Sequence, residues 1–393
     1  MAESLRGLNM PSGLDRPLLM VSLTLALLGL VMVTSASLQI AESSIGNAFH
    51  YSVRHGTYLL MGTAIAAVIV YFLPLLWLRD LRVLMLPVVL ITLALVFVPG
   101  LGHTVNGSTR WIKLPGFTVQ SSEVVKLCFI LYLAGYIDRY QEELLTSWKR
   151  FFMPLFVLAI IAVLLLMQPD FGAVVVLAIM TMGMLFLAGV PLIRYGLVVL
   201  AGLLLMALVA VAEPYRVARL MSFMDPWADQ FGAGYQLTQS LIAFGRGDLF
   251  GVGLGNSVQK LFYLPEAHTD FVFAVIAEEL GMLGSLLLIS AFVFLLWRVF
   301  RMGLRLQQQG MLYHAFVVYG CGLVLSSQVV INLSVNMGLL PTKGLTLPLI
   351  SFGGSSLLIV AVMVGLILRA GIEGNNDMQA SSSKVSKGGR GAA

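Results

Sequence analysis

Charge and cysteine are both scarce in this sequence, and each shortage argues against a class of protein. Asp, Glu, Lys and Arg make up 11% of the 393 residues, whereas soluble domains carry about a quarter. A soluble globular fold is therefore excluded. The two cysteines, Cys128 and Cys321, each lie within an apolar run. That placement argues against a structural disulfide or a metal cluster and predicts that both thiols pack between helices.

Apolar residues dominate instead, at 59% of the chain and with a mean hydropathy of +0.92. They form runs of roughly 17 to 25 residues, the length that spans a bilayer as a helix. The sequence predicts an all-α polytopic membrane protein with about ten transmembrane helices and a large extracytoplasmic loop, residues 213–270, between the seventh and eighth. The predicted spans are residues 17–36, 57–76, 83–98, 119–137, 151–167, 172–190, 195–212, 271–297, 312–335 and 345–368.

The distribution of basic residues predicts the orientation of these helices. Lysines and arginines are concentrated in the short segments on the side of the two termini, as in cytoplasmic segments of membrane proteins. We expect a cytoplasmic N-terminal segment over 1–16 that is not a cleaved signal peptide, a membrane domain over 17–370, and a disordered cytoplasmic tail over 371–393. The same bias explains the net charge of +5, so nucleic-acid binding is not predicted.

The polar, glycine-rich stretch 245–270 ends with Asp270 at the start of the predicted eighth helix. Two explanations are open for this carboxylate: a helix cap, or acid–base chemistry, which the neighbouring His268 and Glu266 favour. The glycines within 251–255 follow no predicted strand, and this rejects a dinucleotide-binding loop. They predict a re-entrant or interfacial loop in which the backbone packs closely.

Charged residues near the spans supply further candidates. Glu123 and Lys126 lie three residues apart on one helical face, either as a mutual ion pair or with Lys126 facing a cavity. Glu278 and Glu279 point to different faces of the eighth helix, so at least one is expected to bind a partner helix or a buried cation.

Several cations are predicted on the outer side of the membrane. They are Arg110, Arg216, Arg219 and Lys343. Each alone is explained by contact with solvent or lipid headgroups. Together they suggest an anionic ligand at the outer surface.

Five segments of the sequence together resemble the SEDS family of cell-division and elongation proteins. These segments are residues 105–112, 168–172, 251–260, 264–271 and 338–356. The resemblance covers essentially all ten predicted spans, and two motifs are more similar to the division branch of the family than to its elongation branch. The sequence departs from the family at Ser121, where proline is usual, and at Phe352, where tyrosine is frequent.

The resemblance implies a peptidoglycan glycosyltransferase that polymerises lipid II outside the bacterial cytoplasmic membrane, at the division septum. Its implied partners are a class B penicillin-binding protein, an FtsI-like transpeptidase, and other divisome membrane proteins. By the matching motifs Asp270 is the catalytic carboxylate, which we expect to act as general base. The expected substrate-binding residues are Lys126, Lys343, Arg110, Glu123, Arg216, Arg219, His268 and Ser355. No cofactor is certain, although Mg²⁺ or Mn²⁺ would suit clustered diphosphates.

Two other functions are compatible with the composition. A lipid II flippase would also need many helices and intramembrane charges, but it predicts charged residues along a path through to the cytoplasmic side. A non-catalytic division scaffold predicts that Asp270 is dispensable. The clustering of unusual polar residues on the outer side favours the enzyme.

Overall fold

The computed structural model describes residues 13–105, 108–114, 117–211, 223–232, 234–342 and 344–388. Within these ranges the chain is mostly helical, and each of the ten predicted spans overlaps a helix. The helices are α1 (Arg16–Ile45), α2 (His50–Phe72), α3 (Leu75–Asp80), α4 (Arg82–Leu95), α5 (Ser121–Thr146), α6 (Trp148–Met167), α7 (Phe171–Leu187), α8 (Leu192–Val211), α9 (Tyr235–Gly247), α10 (Val272–Gln308), α11 (Leu312–Asn336) and α12 (Gly354–Gly388).

The apolar character of these helices agrees with a multi-pass membrane protein. Among the described residues, α1, α2, α6, α10, α11 and α12 are long and apolar enough to cross a bilayer, and α4, α7 and α8 are shorter apolar helices. The short helix α9 lies outside the predicted spans, and α3 overlaps the second of them only at Leu75 and Leu76. The number of ten crossings stays a prediction.

A small antiparallel sheet interrupts the helices where the sequence predicted a loop. Its strands β1 (Gly102–Val105), β2 (Ser108–Leu114) and β3 (Phe117–Gln120) pair in the order β1-β2-β3. The description as all-α therefore holds only outside this sheet. Strands of four to seven residues carry too little alternation to be distinguished from loop in the sequence. Because β3 continues into α5, the sheet fixes β2 beside the start of that helix.

Helix α11 lies at the centre of the bundle. It packs against α5, α7, α10 and α12. In its most apolar stretch of 18 residues 78% of the residues are buried, whereas in the corresponding stretch of α2 only 22% are. A helix that is apolar on all faces is stable in either setting, surrounded by protein or by lipid. The high burial assigns α11 to the protein interior, and the low burial of α2 leaves an apolar face suited to lipid.

Helix α10 is broken at Gly281, whose φ of +67° lies in the left-handed region. The freed backbone groups bind the segment 248–253. Two amides of this segment donate to carbonyls before the break, and two amides after the break donate to carbonyls of the segment, at 2.9 to 3.2 Å. A Cβ on Gly251 would lie 2.2 Å from the Glu279 carbonyl oxygen. The glycine run therefore permits close backbone packing, which is the role that we predicted for it.

Helix α12 continues to Gly388, whereas the sequence predicted a disordered tail from residue 371. Polar residues in this part of the helix have partners in the bundle. Asn375 Nδ2 donates to the Gly13 carbonyl at 2.7 Å, and Glu373 accepts from Arg369 Nε and lies 2.7 Å from His314 Nε2. The polar composition thus reflects contacts at the end of the bundle, and the helix has no boundary at residue 370.

Candidate active site

Asp270 lies just before α10, and two asparagines of α11 fix its main chain. The side-chain amides of Asn332 and Asn336 donate to the Asp270 carbonyl oxygen at 2.9 and 3.0 Å. Asn336 Oδ1 also accepts from the Ala274 amide at 3.1 Å, in the first turn of α10. Both asparagines are buried. They therefore join the start of α10 to the end of α11 and set the position of Asp270.

The Asp270 carboxylate does not cap α10. The N-cap residue is Phe271, without a side-chain capping bond, so the capping explanation is wrong. Instead Oδ2 faces Gly344, where an added Cβ would lie only 3.0 Å away. Asn332 Nδ2 holds the same segment by donating to the Leu345 carbonyl at 2.6 Å. The carboxylate thus packs against the chain that leads into α12.

The environment of Asp270 changes its protonation. The pKa of Asp270 is raised to about 7, chiefly because the carboxyl group is buried and also because the Glu266 carboxylate lies nearby, while the positive charge of Arg110 opposes both effects. The dipole of α10 would favour the charged form, but loss of solvation has the larger effect here. A carboxylate with a pKa near 7 is half ionised at neutral pH and is suited to act as a general base.

His268 belongs to an aromatic cluster beside Asp270. Its ring centroid lies 4.7 Å from that of Tyr51 and 5.7 Å from that of Phe352, and its carbonyl accepts from the Phe352 amide at 3.0 Å. Burial lowers the pKa of His268, opposed by the Glu266 carboxylate, so the neutral ring is favoured. Its contacts join α2, the loop before α10 and the start of α12.

Glu123 and Lys126 form the ion pair that was one of the two predicted alternatives. Lys126 Nζ lies 2.8 Å from Glu123 Oε1, and the two side chains are only 2% and 7% exposed. The Lys126 ammonium therefore has a buried anionic partner in α5.

Arg110, on β2, holds the turn between α6 and α7. Its Nε donates to the Gln168 carbonyl at 3.1 Å and its Nη2 donates to the Pro169 carbonyl. Its Nη1 lies 3.9 Å from Asp170 Oδ1. Asp170 in turn caps α7 by accepting from the Ala173 amide. Arg110 thus uses two of its N–H groups to fix this turn, while its charge still lowers the pKa of Asp270.

The remaining predicted site residues are only partly described. Ser355 Oγ accepts from the Gln120 amide at 3.2 Å and so joins β3 to the start of α12. Lys343, Arg216 and Arg219 lie outside the described residues, and their roles stay predictions.

The two glutamates of α10 each have partners around the break. Lys260 Nζ lies 2.7 Å from Glu279 Oε1, and Ser35 Oγ of α1 donates to the same carboxylate. Glu278 accepts from Ser257 Oγ at 2.5 Å and lies 3.4 Å from Arg246 Nη1. Glu279 meets both parts of the expectation, because Lys260 is a buried cation and Ser35 belongs to a partner helix.

Asn332 and Asn336 are the contributors that sequence reasoning missed. They lie four residues apart in an apolar run and hence on one helical face, next to the predicted extracytoplasmic end. Polar residues at such positions are costly in lipid and usually functional. That spacing was a signal available from the sequence.

Metal ligands are sparse around this site. The described part of the chain contains no group of three or more His, Cys, Asp or Glu side chains that could hold a metal ion. The side chains of the described residues therefore do not fit a metal ion bound by the protein alone.

Fold and site together define a class: a polytopic membrane protein that holds a buried carboxylate with a raised pKa at a junction between two helices. The comparisons agree with this class. The family model described as "Cell cycle protein" (FTSW_RODA_SPOVE) matches residues 16–376. The chain belongs to this family, the SEDS family predicted from its motifs.

The relatives and the solved structures are similar over nearly the whole chain. A protein of Alcanivorax borkumensis named "Probable peptidoglycan glycosyltransferase FtsW" is 66% identical over 93% of this chain and 95% of its own length. One of the same name from Hahella chejuensis is 55% identical over 92% and 90%. The division branch that the motifs indicated is confirmed by these names.

Two solved structures share the fold. The crystal structure of the Thermus thermophilus rod shape determining protein RodA has a TM-score of 0.68 and 28% identity, over 92% of this chain and 97% of that one. A chain from the structure described as "Structural coordination of polymerization and crosslinking by a peptidoglycan synthase complex" has a TM-score of 0.75 and 28% identity, over 92% and 99%.

Proposed function

We propose that this protein is a peptidoglycan glycosyltransferase that polymerises lipid II into glycan strands, with Asp270 as general base. The observation that carries the proposal is the Asp270 carboxylate, held at a helix junction by Asn332 and Asn336 with its pKa raised to about 7. The names of the relatives support the same reaction.

The chemistry follows from the needs of glycosyl transfer. The acceptor sugar hydroxyl gives its proton to the ionised Asp270 as its oxygen attacks the anomeric carbon of the donor. The bond from that carbon to the lipid diphosphate breaks, and the diphosphate leaves with the electron pair. A positioned base contributes typically 10² to 10⁴ in rate. Nearby cations stabilise the charge that develops on the diphosphate.

The cations proposed to bind the diphosphates are Lys343, Arg216, Arg219, Lys126 and Arg110. Two of them also have partners within the protein: Lys126 is paired with Glu123 at 2.8 Å, and Arg110 donates to the turn at Gln168. Lys126 and Arg110 would therefore have to exchange these contacts for contacts with the substrate. A divalent cation, if one takes part, would be brought by the substrate diphosphates.

Location and partners are further parts of the proposal. The positive-inside distribution supports cytoplasmic termini and an outer face for Asp270. A class B penicillin-binding protein would crosslink the product, in agreement with the synthase complex to which one similar chain belongs. We infer enrichment at the division septum, with other divisome proteins, from the division-branch relatives.

The test compares the wild type with Asp270→Asn in the purified full-length protein, with and without the penicillin-binding partner, on labelled lipid II. We expect a loss of glycan chains of at least about a hundredfold. The raised pKa means that the native state holds the Asp270 proton more tightly than the unfolded chain, so stability falls as pH rises between about 4 and 7. Because Asn stays neutral, the variant should melt no lower than the wild type at pH 8, and this confirms that it is folded.

Each alternative function predicts a different result. Full polymerisation by a folded Asp270→Asn would reject the base assignment. No chains from the wild type under either condition, together with lipid II translocation in vesicles, would support the flippase. Normal division in cells that carry only Asp270→Asn would support the scaffold.

A further inference from the structure

A polar pocket lies at the end of the bundle remote from Asp270. It has a volume of about 300 Å³, and the start of α1, the C-terminal part of α10 and α12 form its walls. Along α10 it lies on the order of 40 Å from the Asp270 junction, at 1.5 Å per residue. The pocket is therefore separate from the candidate active site.

Cations outnumber anions around this pocket. Arg16, Arg298 and Arg305 line it, together with one carboxylate, Asp15. That carboxylate is already satisfied, because Arg298 Nη2 donates to its Oδ2 at 2.7 Å and the Leu18 amide donates to its Oδ1 at 3.0 Å. Among the described residues, neither Arg16 nor Arg305 forms an ion pair with a carboxylate, so the pocket attracts an anion.

An unpartnered amide gives a second, independent indication of a ligand. The side-chain Nε2 and Oε1 of Gln309 are both buried and form no hydrogen bond among the described residues, and Gln309 lines the pocket. Buried polar groups without a partner are rare and costly. A ligand with hydrogen-bonding oxygens or hydroxyls would satisfy this amide.

The pocket lies at the level where an apolar helix surface meets polar side chains. Trp297, one residue before Arg298, is 49% exposed. The guanidinium carbon of Arg301 lies over the Trp297 ring, 5.2 Å from the ring centroid. Exposed tryptophan beside arginine is typical of the headgroup region of a bilayer. The volume equals that of about ten water molecules, which is enough for a phosphate with its polar substituent.

We propose that this pocket binds the phosphate of an anionic phospholipid headgroup. Basic pockets between membrane helices on the cytoplasmic side recognise such headgroups, and the positive-inside distribution predicts that this end is cytoplasmic. Arg16 and Arg305 contact the phosphate, Arg298 lies beside it while held by Asp15, and Gln309 binds the polar substituent. This site does not depend on the proposed glycosyl transfer.

The test is a titration of the detergent-purified full-length protein with phosphatidylglycerol or phosphatidylcholine, followed by native mass spectrometry. We expect tighter binding of phosphatidylglycerol. The double variant Arg16→Gln with Arg305→Gln should bind it about thirtyfold more weakly, since each basic residue near an anionic lipid contributes about fivefold. The single variant Arg305→Gln should bind it about fivefold more weakly, and its matched control is Arg301→Gln, which removes one positive charge from an exposed residue of α10 outside the pocket and should bind like the wild type.

A second variant tests the amide. Gln309→Leu removes the unpartnered polar group, so its melting temperature without added lipid should rise, while the stabilisation by phosphatidylglycerol should shrink. Undiminished lipid stabilisation of this variant would contradict the proposal.

Three further results would overturn it. Equal affinity for the two lipids, or equal losses in Arg301→Gln and Arg305→Gln, would show general attraction to charge and no site. If inorganic phosphate alone stabilised the wild type as much as phosphatidylglycerol does, the ligand would be free phosphate and the assignment to a lipid would be wrong.

Discussion

At the scale of single residues, the site depends on how one carboxylate is kept partly protonated. Burial raises the pKa of Asp270 most, the like charge of Glu266 adds to the rise, and the positive charge of Arg110 opposes it. The sequence identified Asp270 through its motif, but its local sequence equally suited a helix cap. Only the structure shows that the cap position belongs to Phe271, because the exact end of a helix depends on tertiary contacts such as those of Asn336.

The first prediction concerns the pH dependence of activity. A general base works when ionised, so kcat/KM should rise with pH to a plateau, with its midpoint near the Asp270 pKa of about 7. Glu266→Gln removes the like charge and should move the midpoint to lower pH, while the Thr269 hydroxyl can still bond to residue 266. Initial polymerisation rates between pH 5 and 9 measure both. A midpoint that Glu266→Gln leaves unchanged would contradict the electrostatic coupling.

The second prediction separates a structural role of Lys126 from a catalytic one. Lys126→Met leaves the buried Glu123 carboxylate unpaired and should cost about 3 to 5 kcal/mol. Combining it with Glu123→Leu should recover most of that stability, because no buried charge then remains. Thermal unfolding in detergent gives the stability, and lipid II polymerisation gives the activity. A stable double variant that stays inactive would assign the Glu123–Lys126 pair to the reaction, whereas recovery of activity with stability would make the pair purely structural.

At the scale of elements, the break in α10 at Gly281 is a feature that the sequence did not predict. Residues 271–297 have the hydropathy of one uninterrupted span, and Gly281 alone does not identify a break, because isolated glycines occur within helices. The sequence predicted close packing for the glycines within 251–255, but the partner of Gly251, the interior of α10, lies about thirty residues further on and could not be inferred from local pattern.

The third prediction uses two glycines of α9 as a matched pair. A Cβ on Gly247 would lie 2.0 Å from the Ala277 carbonyl, whereas a Cβ on Gly245 meets nothing within 4 Å. Gly247→Ala should force the segment 248–253 away from α10 and cost at least about 2 kcal/mol, with loss of polymerisation. Gly245→Ala should be neutral or stabilising by up to about 1 kcal/mol, since alanine is the better helix former. Equal melting temperatures for the two variants would show that the contact is not needed.

At the scale of the whole molecule, hydropathy was sufficient for the bundle but not for its internal arrangement. Each predicted span overlaps a helix, because runs of apolar residues have few other stable states in a membrane. The central position of α11 could not be predicted, since apolar residues face lipid and protein equally well. The helical end of α12 was also missed, because its polar residues bind Gly13 and His314, which are distant in sequence.

The fourth prediction tests the orientation of the bundle. Both natural cysteines are buried, so the wild type should not react with a membrane-impermeant maleimide and serves as the control. Leu254→Cys, in the glycine run, and Gln308→Cys, at the end of α10, place a thiol at exposed positions on the order of 40 Å apart along α10. In spheroplasts the first should be labelled, and the second only after permeabilisation. The reverse pattern would invert the proposed topology and place Asp270 in the cytoplasm.

The interlocking of segment 248–253 with α10 also bears on how the protein enters the membrane. Unsatisfied amides and carbonyls cost several kcal/mol each in the bilayer, so α10 cannot partition into lipid with its interrupted turn unoccupied. Segment 248–253 leaves the ribosome before α10 does, and is therefore present when that helix reaches the translocon. The chain thus carries the backbone partners of the interrupted turn in α10 within its own preceding segment.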